Sequence, residues 1–140
     1  MKNILFKVAM LLVAAAIIGC CPCRFSRKNA KPFVGTRWHL IQLAGQDVKF
    51  EEGTFDLTFN ANNKLTGKGA CNNFSASYKA TDKEALDIGT IAATRMLCPD
   101  SNVEQRLYTE LDNATHYEID GQLLLLLNNG EIRAIFSAAE

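Results

Sequence analysis

Residues 101–136, SNVEQRLYTELDNATHYEIDGQLLLLLNNGEIRAIF, decide how this chain folds. They open on Ser101-Asn102-Val103-Glu104, the Ser-x-x-Glu spacing of a capping box. Val103, Leu107, Leu111 and Ala114 then recur at helical intervals, which predicts a helix over about 101–114. From Thr115 the pattern changes. Thr115 to Ile119, Leu123 to Leu127 and Ile132 to Phe136 are short apolar runs separated by Asp120-Gly121 and Asn129-Gly130. Those dipeptides favour the two-residue turns that join antiparallel strands, so a three-strand meander follows the helix. The five leucines do not alternate, and both faces of that middle strand therefore want cover. A curled sheet with the helix over it, near the leucine strand, supplies that cover.

Upstream of the helix the chain reads as more short strands. Thr36 to Leu43 is aromatic and branched and ends at Gly45. Phe55, Leu57 and Phe59 alternate with Asp56 and Thr58, the period of a half-buried strand. After the turn at residues 60–63, the alternate positions Leu65, Gly67, Gly69 and Cys71 suggest a strand that bends or lets another backbone come close. Tyr78, the pair Leu86 and Ile88, and Ile91 to Leu97 are short extended candidates, none of them long. The fold class expected is α+β: a mainly antiparallel, curled, partly closed barrel-like sheet with one helix.

The first twenty residues are an address and not part of this fold. Lys2 and Lys7 precede an apolar run from Val8 to Ile18, and Gly19-Cys20 follows. That is a secretory layout. An eleven-residue run is well short of the roughly 20 residues a helix needs to cross a bilayer. Ile17-Ile18-Gly19-Cys20 resembles the lipobox of bacterial lipoproteins, which implies a signal peptide at 1–19 and acylation of Cys20 by diacylglycerol and palmitate. Several acyl chains would anchor the protein stably to a membrane. Residues 20–32 then serve as anchor and tether, and 33–140 as the domain. Position 21 is Cys and not Asp, which by resemblance to sorting signals points to the outer membrane and its periplasmic face.

Length and charge narrow the functions. One hundred and forty residues make about one domain. Fifteen basic residues balance fifteen acidic ones, and loss of Lys2 and Lys7 with the signal peptide leaves the chain slightly acidic. A basic nucleic-acid binder is excluded as the default, so no nucleic acid is expected as a partner. Of five cysteines, Cys20 is assigned to the anchor, and the other four allow three pairings. In an oxidising compartment the simplest assignment joins Cys71 to Cys98. Cys21-Pro22-Cys23 is spaced too tightly for an easy bridge. Free thiols, contacts with another chain and a soft-metal site all compete there, and no histidine lies nearby to complete a metal set. His39 and His116 are 77 positions apart and lack the spacing of a metal pair. No nucleophile elbow, phosphate loop or dinucleotide loop is present, so neither a catalytic residue nor a cofactor is expected. Asn72, Asn73 and Arg95 remain as candidate surface-contact residues, because the planar fork of arginine suits a carboxylate or phosphate.

Taken together, several segments resemble the META domain family. They are Trp38 and Leu40, Gly69-Ala70-Cys71-Asn72-Asn73-Phe74 followed by Tyr78, Leu86-Asp87-Ile88-Gly89, Thr94-Arg95-Met96-Leu97-Cys98, and the Glu104 to Leu111 helix. The resemblance spans about residues 33–138. It implies an antiparallel, partly closed sheet with one helix, and a link to envelope stress and antibiotic tolerance. It supplies no catalytic residue. The expected function is a non-enzymatic, lipid-anchored envelope protein, either a binding or chaperone-like module for an envelope protein or apolar ligand, or a stress lipoprotein acting through surface contacts with no pocket.

Overall fold

The computed structural model describes residues 29–139. Cys20, Cys21, Cys23 and residues 1–19, expected to be a signal peptide, lie outside the described residues. Ten strands and one helix follow in order: β1 Arg37–Leu43, β2 Gln46–Asp47, β3 Asp56–Asn60, β4 Lys64–Lys68, β5 Asn73–Ala80, β6 Leu86–Ile88, β7 Ala92–Ala93, the helix α1 Ser101–Asp112, β8 His116–Asp120, β9 Leu123–Asn128 and β10 Glu131–Ala138. Every named strand pairs antiparallel with its neighbours, in the order β6-β5-β4-β3-β1-β10-β9-β8. The two ends of that path nearly meet. Leu86 N donates to Thr115 O at 2.9 Å, Tyr117 N donates to Glu84 O at 2.9 Å, and a single bridge joins Ala85 to His116. The sheet is therefore an almost closed barrel, which removes most exposed strand edge.

Local chemistry explains most of the turns. Asn129 and Gly130 both adopt positive φ, +50° and +86°, as a type I′ hairpin turn requires. At the other hairpin the turn residues are Gly121 and Gln122, with Gly121 at φ +61°. The alternation expected around Phe55 is present: Phe55, Leu57 and Phe59 are buried inside the barrel. They join Trp38, Leu40, Leu65, Phe74, Leu124, Leu126 and Phe136 in one core. Gly67 is required by that packing, since a Cβ there would sit 2.3 Å from the Phe74 ring.

Three expectations need correction. The segment at 73–80, anticipated only as a short piece around Tyr78, is an eight-residue strand. Its inward positions Phe74, Ala76 and Tyr78 alternate with polar or small residues, a weak signal because Ala76 carries little hydrophobicity. The leucine strand is not covered equally on both faces: Leu124 and Leu126 point into the core, whereas Leu123 and Leu125 are half-buried. On the outer face Leu127 is also buried, so cover reaches that side only at one end of the strand. The principal neighbours of α1 are instead β6 and β10.

The helix closes one end of the barrel and the chain arrives at the other. Glu110 of α1 meets Arg133 beside the Leu43 end of β1, where Ala44 N donates to Arg133 O at 2.7 Å. At the opposite end Lys31 N donates to Gly121 O at 2.9 Å, and Val34 bridges to Phe59. There Phe33 is stacked between Phe59 and Tyr117, with ring centroids 4.2 and 4.0 Å away. No helix among the described residues is long and apolar enough to cross a membrane.

Candidate functional site

The helix is fixed by two glutamates on its buried face, and one of them builds the site. Leu107 and Leu111 turn into the core as the helical spacing requires, and Val103 packs at its edge. Glu104 and Glu110 share that face. A buried carboxylate is tolerated only when it is paired or hydrogen-bonded. Glu110 takes a forked contact from Arg133, with Nε at 2.9 Å and Nη2 at 2.8 Å, and this contact raises the guanidinium pKa above its ordinary value.

Glu104 takes its bonds from Asn72. The Asn72 backbone N–H donates to Oε1 at 3.2 Å and the side-chain Nδ2 donates to Oε2 at 2.7 Å. The capping box is thus not formed. Asp100 is the N-cap residue, at φ +62° and with no side-chain cap bond, and Ser101 lies inside the helix. The glutamate that would have reached back to the helix start is spent on Asn72. Gly69 makes this approach possible, because a Cβ there would lie 2.2 Å from Glu104 Oε1. The close approach expected in this stretch is that of a backbone; Gly69 lies just past β4, and the group that approaches it is the Glu104 side chain.

Asn72 is not a surface-contact residue. It is 3% exposed, and its amide is fully used. Besides Glu104, Nδ2 donates to Met96 O at 3.0 Å, while Oδ1 accepts from Met96 N at 2.7 Å and from Thr94 Oγ1 at 2.8 Å. One side chain therefore ties the helix to the segment at 91–98. The Cys71–Cys98 disulfide, with Cα atoms 6.2 Å apart, ties the same segment next door. Asn73 is exposed, and its backbone pairs with Thr94. Arg95 is exposed and has no hydrogen-bond or ion-pair partner among the described residues.

Between this pinned segment and α1 lies an open cleft of about 910 Å³. Ala92, Ala93 and Arg95 stand on one wall, and Asn102 and Gln105 on the other. Met96 and Leu97 project at its rim with exposures of 54% and 99%, unusual for large apolar side chains on a segment held by a bridge and by three hydrogen bonds with the Asn72 side chain. Tyr108 lines the inner part and sits edge-on to Phe74, with centroids 5.2 Å apart. Its hydroxyl is buried and makes no well-formed hydrogen bond, although the Glu104 carboxylate is close enough to act on it. Burial, and next the negative charge of Glu104, push the phenol well above its usual pKa.

A second surface pocket, about 450 Å³, surrounds His39, whose Nδ1 lies 2.6 Å from Asp56 Oδ1. Ser137 faces His39 across β1 and β10, and no hydrogen bond joins its hydroxyl to the ring. His116 is exposed and contacts only Thr115 Oγ1 among side chains, at 3.1 Å. Among the described residues no three His, Cys, Asp or Glu side chains cluster in a way that could hold a metal.

The nearly closed barrel has relatives among solved structures. A protein from Burkholderia xenovorans, solved by NMR, superposes with a TM-score of 0.60 at 21% identity, covering 76% of this chain and 83% of its own. A crystal structure of a DUF4847 family protein from Bacteroides vulgatus gives 0.56 at 19% identity, over 77% of this chain and 94% of its own. A further NMR structure gives 0.59 at 19%, over 74% and 88%. At such identities the likeness concerns the fold. No curated protein matches. The META domain matches residues 31–140, which takes in the whole barrel, the helix and the cysteine-pinned segment. By that match the chain belongs to the META domain family.

Proposed function

We propose that this protein is a lipid-anchored, non-enzymatic binding module of the bacterial envelope, tethered through Cys20 at the periplasmic face of the outer membrane and linked to envelope stress. The observation that carries the binding role is the rim of the cleft. Leu97 is 99% exposed on a segment held by Asn72 and by the Cys71–Cys98 bridge. Fixing an apolar side chain in water forgoes both its burial and its freedom, which suits a contact made with something else. The placement of the cleft supports a protein partner over a lipid. Phe33, where the tether joins the barrel, is at the end opposite α1. A membrane-anchored barrel hanging from that end presents its cleft away from the bilayer.

The test uses the full-length lipoprotein in cells. Palmitate labelling of wild type and of Cys20→Ala examines the anchor, and equal labelling would reject it. A photo-crosslinking amino acid at position 97, compared with one at position 118 on the barrel exterior, examines the cleft. Discrete adducts from position 97 alone are expected. Adducts of equal pattern from both positions, or none from 97, would favour a stress lipoprotein that acts through dispersed surface contacts.

A further inference from the structure

The wall of the cleft formed by β7 is an open strand edge. β7 pairs with β5 on one side, with Ala93 opposite Phe74 and Ala92 opposite Ser75. Thr94 N donates to Asn73 O at 3.0 Å. In an antiparallel ladder that bond makes Ala93 and Phe74 a non-hydrogen-bonded pair, so the Ala93 N–H and C=O point away from β5. No backbone partner takes them among the described residues. Strand side chains stand above and below the sheet, so those of Ala92 and Ala93 do not lie in the path of another backbone at the ~4.8 Å spacing of neighbouring strands. Arg95, two residues further on and on the same wall, is an exposed cation with no partner. Beyond it Met96 and Leu97 offer apolar contact.

We infer that the cleft takes an extended polypeptide segment as an added strand on β7, with a carboxylate of that segment held by Arg95. Strand addition of this kind derives affinity from main-chain hydrogen bonds and selectivity from the groups beside the edge. Here the main-chain contacts are those of Ala93, and the selective group is the guanidinium, whose fork matches a carboxylate. The charge on the wall favours an acidic segment, and the outward N–H and C=O of Ala93 favour a polypeptide backbone. This inference rests on the reading of the cleft as the binding site, and the experiment separates the two.

The probe is a fluorescent hexapeptide of alternating valine and threonine with a free C-terminal carboxylate, titrated by anisotropy into the full-length protein in detergent. Four companions are titrated alongside: the amidated peptide, the peptide N-methylated at alternate residues, the free peptide against Arg95→Ala, and the amidated peptide against Arg95→Ala. Amidation and Arg95→Ala should each weaken binding about tenfold, the value of one charge-assisted contact, and together they should weaken it no further. N-methylation, which blocks the added ladder without touching the protein, should abolish binding. Ala93→Pro, which removes the outward N–H without taking a ladder bond from β5, should do the same if it retains the native circular dichroism. The N-methylated peptide decides the matter if Ala93→Pro does not fold. Equal affinity for methylated and unmethylated peptides would overturn strand addition. Absence of binding by all peptides, with adducts still formed from position 97, would overturn it while leaving the cleft reading in place. Absence of both would overturn both.

Discussion

Replacing Asn72 by alanine should cost more stability than any other single polar change in the described fold. The side chain makes four hydrogen bonds, to Glu104 Oε2, Met96 N, Met96 O and Thr94 Oγ1. Thr94 and Met96 are exposed, so the groups released on that side can find water at small net cost. Glu104 cannot: it is 3% exposed and would keep only the Asn72 backbone N–H. A charged hydrogen bond contributes about 1.5–3 kcal/mol, and a buried charge stripped of a partner costs about 3–5 kcal/mol. These overlap, and the expected loss for Asn72→Ala is about 3–4 kcal/mol, a large part of the roughly 5–15 kcal/mol that holds a domain together. The assay is urea unfolding followed by the fluorescence of Trp38, the single tryptophan and fully buried. Glu104→Gln is the informative companion. Both Glu104 oxygens accept from Asn72, and an amide offers only one acceptor, so removing the charge should not relieve the site but destabilise it too. Asn72→Asp would set two carboxyls against each other and raise the pKa of one above its unfolded value. That variant should be nearer to wild type in acid and lose stability as the pH rises through the raised value. A loss below about 1 kcal/mol for Asn72→Ala, or an Asn72→Asp variant insensitive to pH, would refute the argument that this amide holds a buried carboxylate.

Three further outcomes are expected. Gly69→Ala places a methyl 2.2 Å from Glu104 Oε1 and should cost about 1–3 kcal/mol by overpacking, measured by the same unfolding curve. Reduction of the Cys71–Cys98 bridge, which has a sequence separation of 27, should cost about 3.5 kcal/mol by loop entropy, read as a lower melting temperature in dithiothreitol. Burial raises the phenol pKa of Tyr78, Tyr108 and Tyr117 in the fold, so their contribution is complete below pH 10 and is lost as the pH climbs through the raised values. Tyr108→Phe removes a buried hydroxyl that makes no well-formed hydrogen bond, should change stability at pH 7 by less than about 1 kcal/mol, and should blunt the alkaline loss seen by phenolate absorbance.

How far the sequence alone reached follows from the range over which each interaction acts. The helix, the two hairpins around Gly121 and Asn129-Gly130, and the alternation at Phe55 to Phe59 depend on residues a few positions apart, and local periodicity is a physical record of which face is buried. The family was legible for the same reason, through short segments around Cys71 and Cys98. The barrel's near closure was not legible, since it turns on Leu86 meeting Thr115 and on Ala85 meeting His116, which no local pattern encodes. Nor was the site. The Ser101 to Glu104 spacing carries a local meaning, a cap, and a tertiary competitor 32 residues away, Asn72, won the carboxylate because a buried charge must be hydrogen-bonded wherever donors can reach it. Arg95 could be singled out as a cation, but that its neighbour Ala93 turns an unpaired backbone away from β5 is decided by the pairing with Phe74. Sequence fixes which residues prefer to be inside and which local turns they can make. Only the assembled barrel decides which buried polar groups find one another, because that depends on distances between segments far apart along the chain.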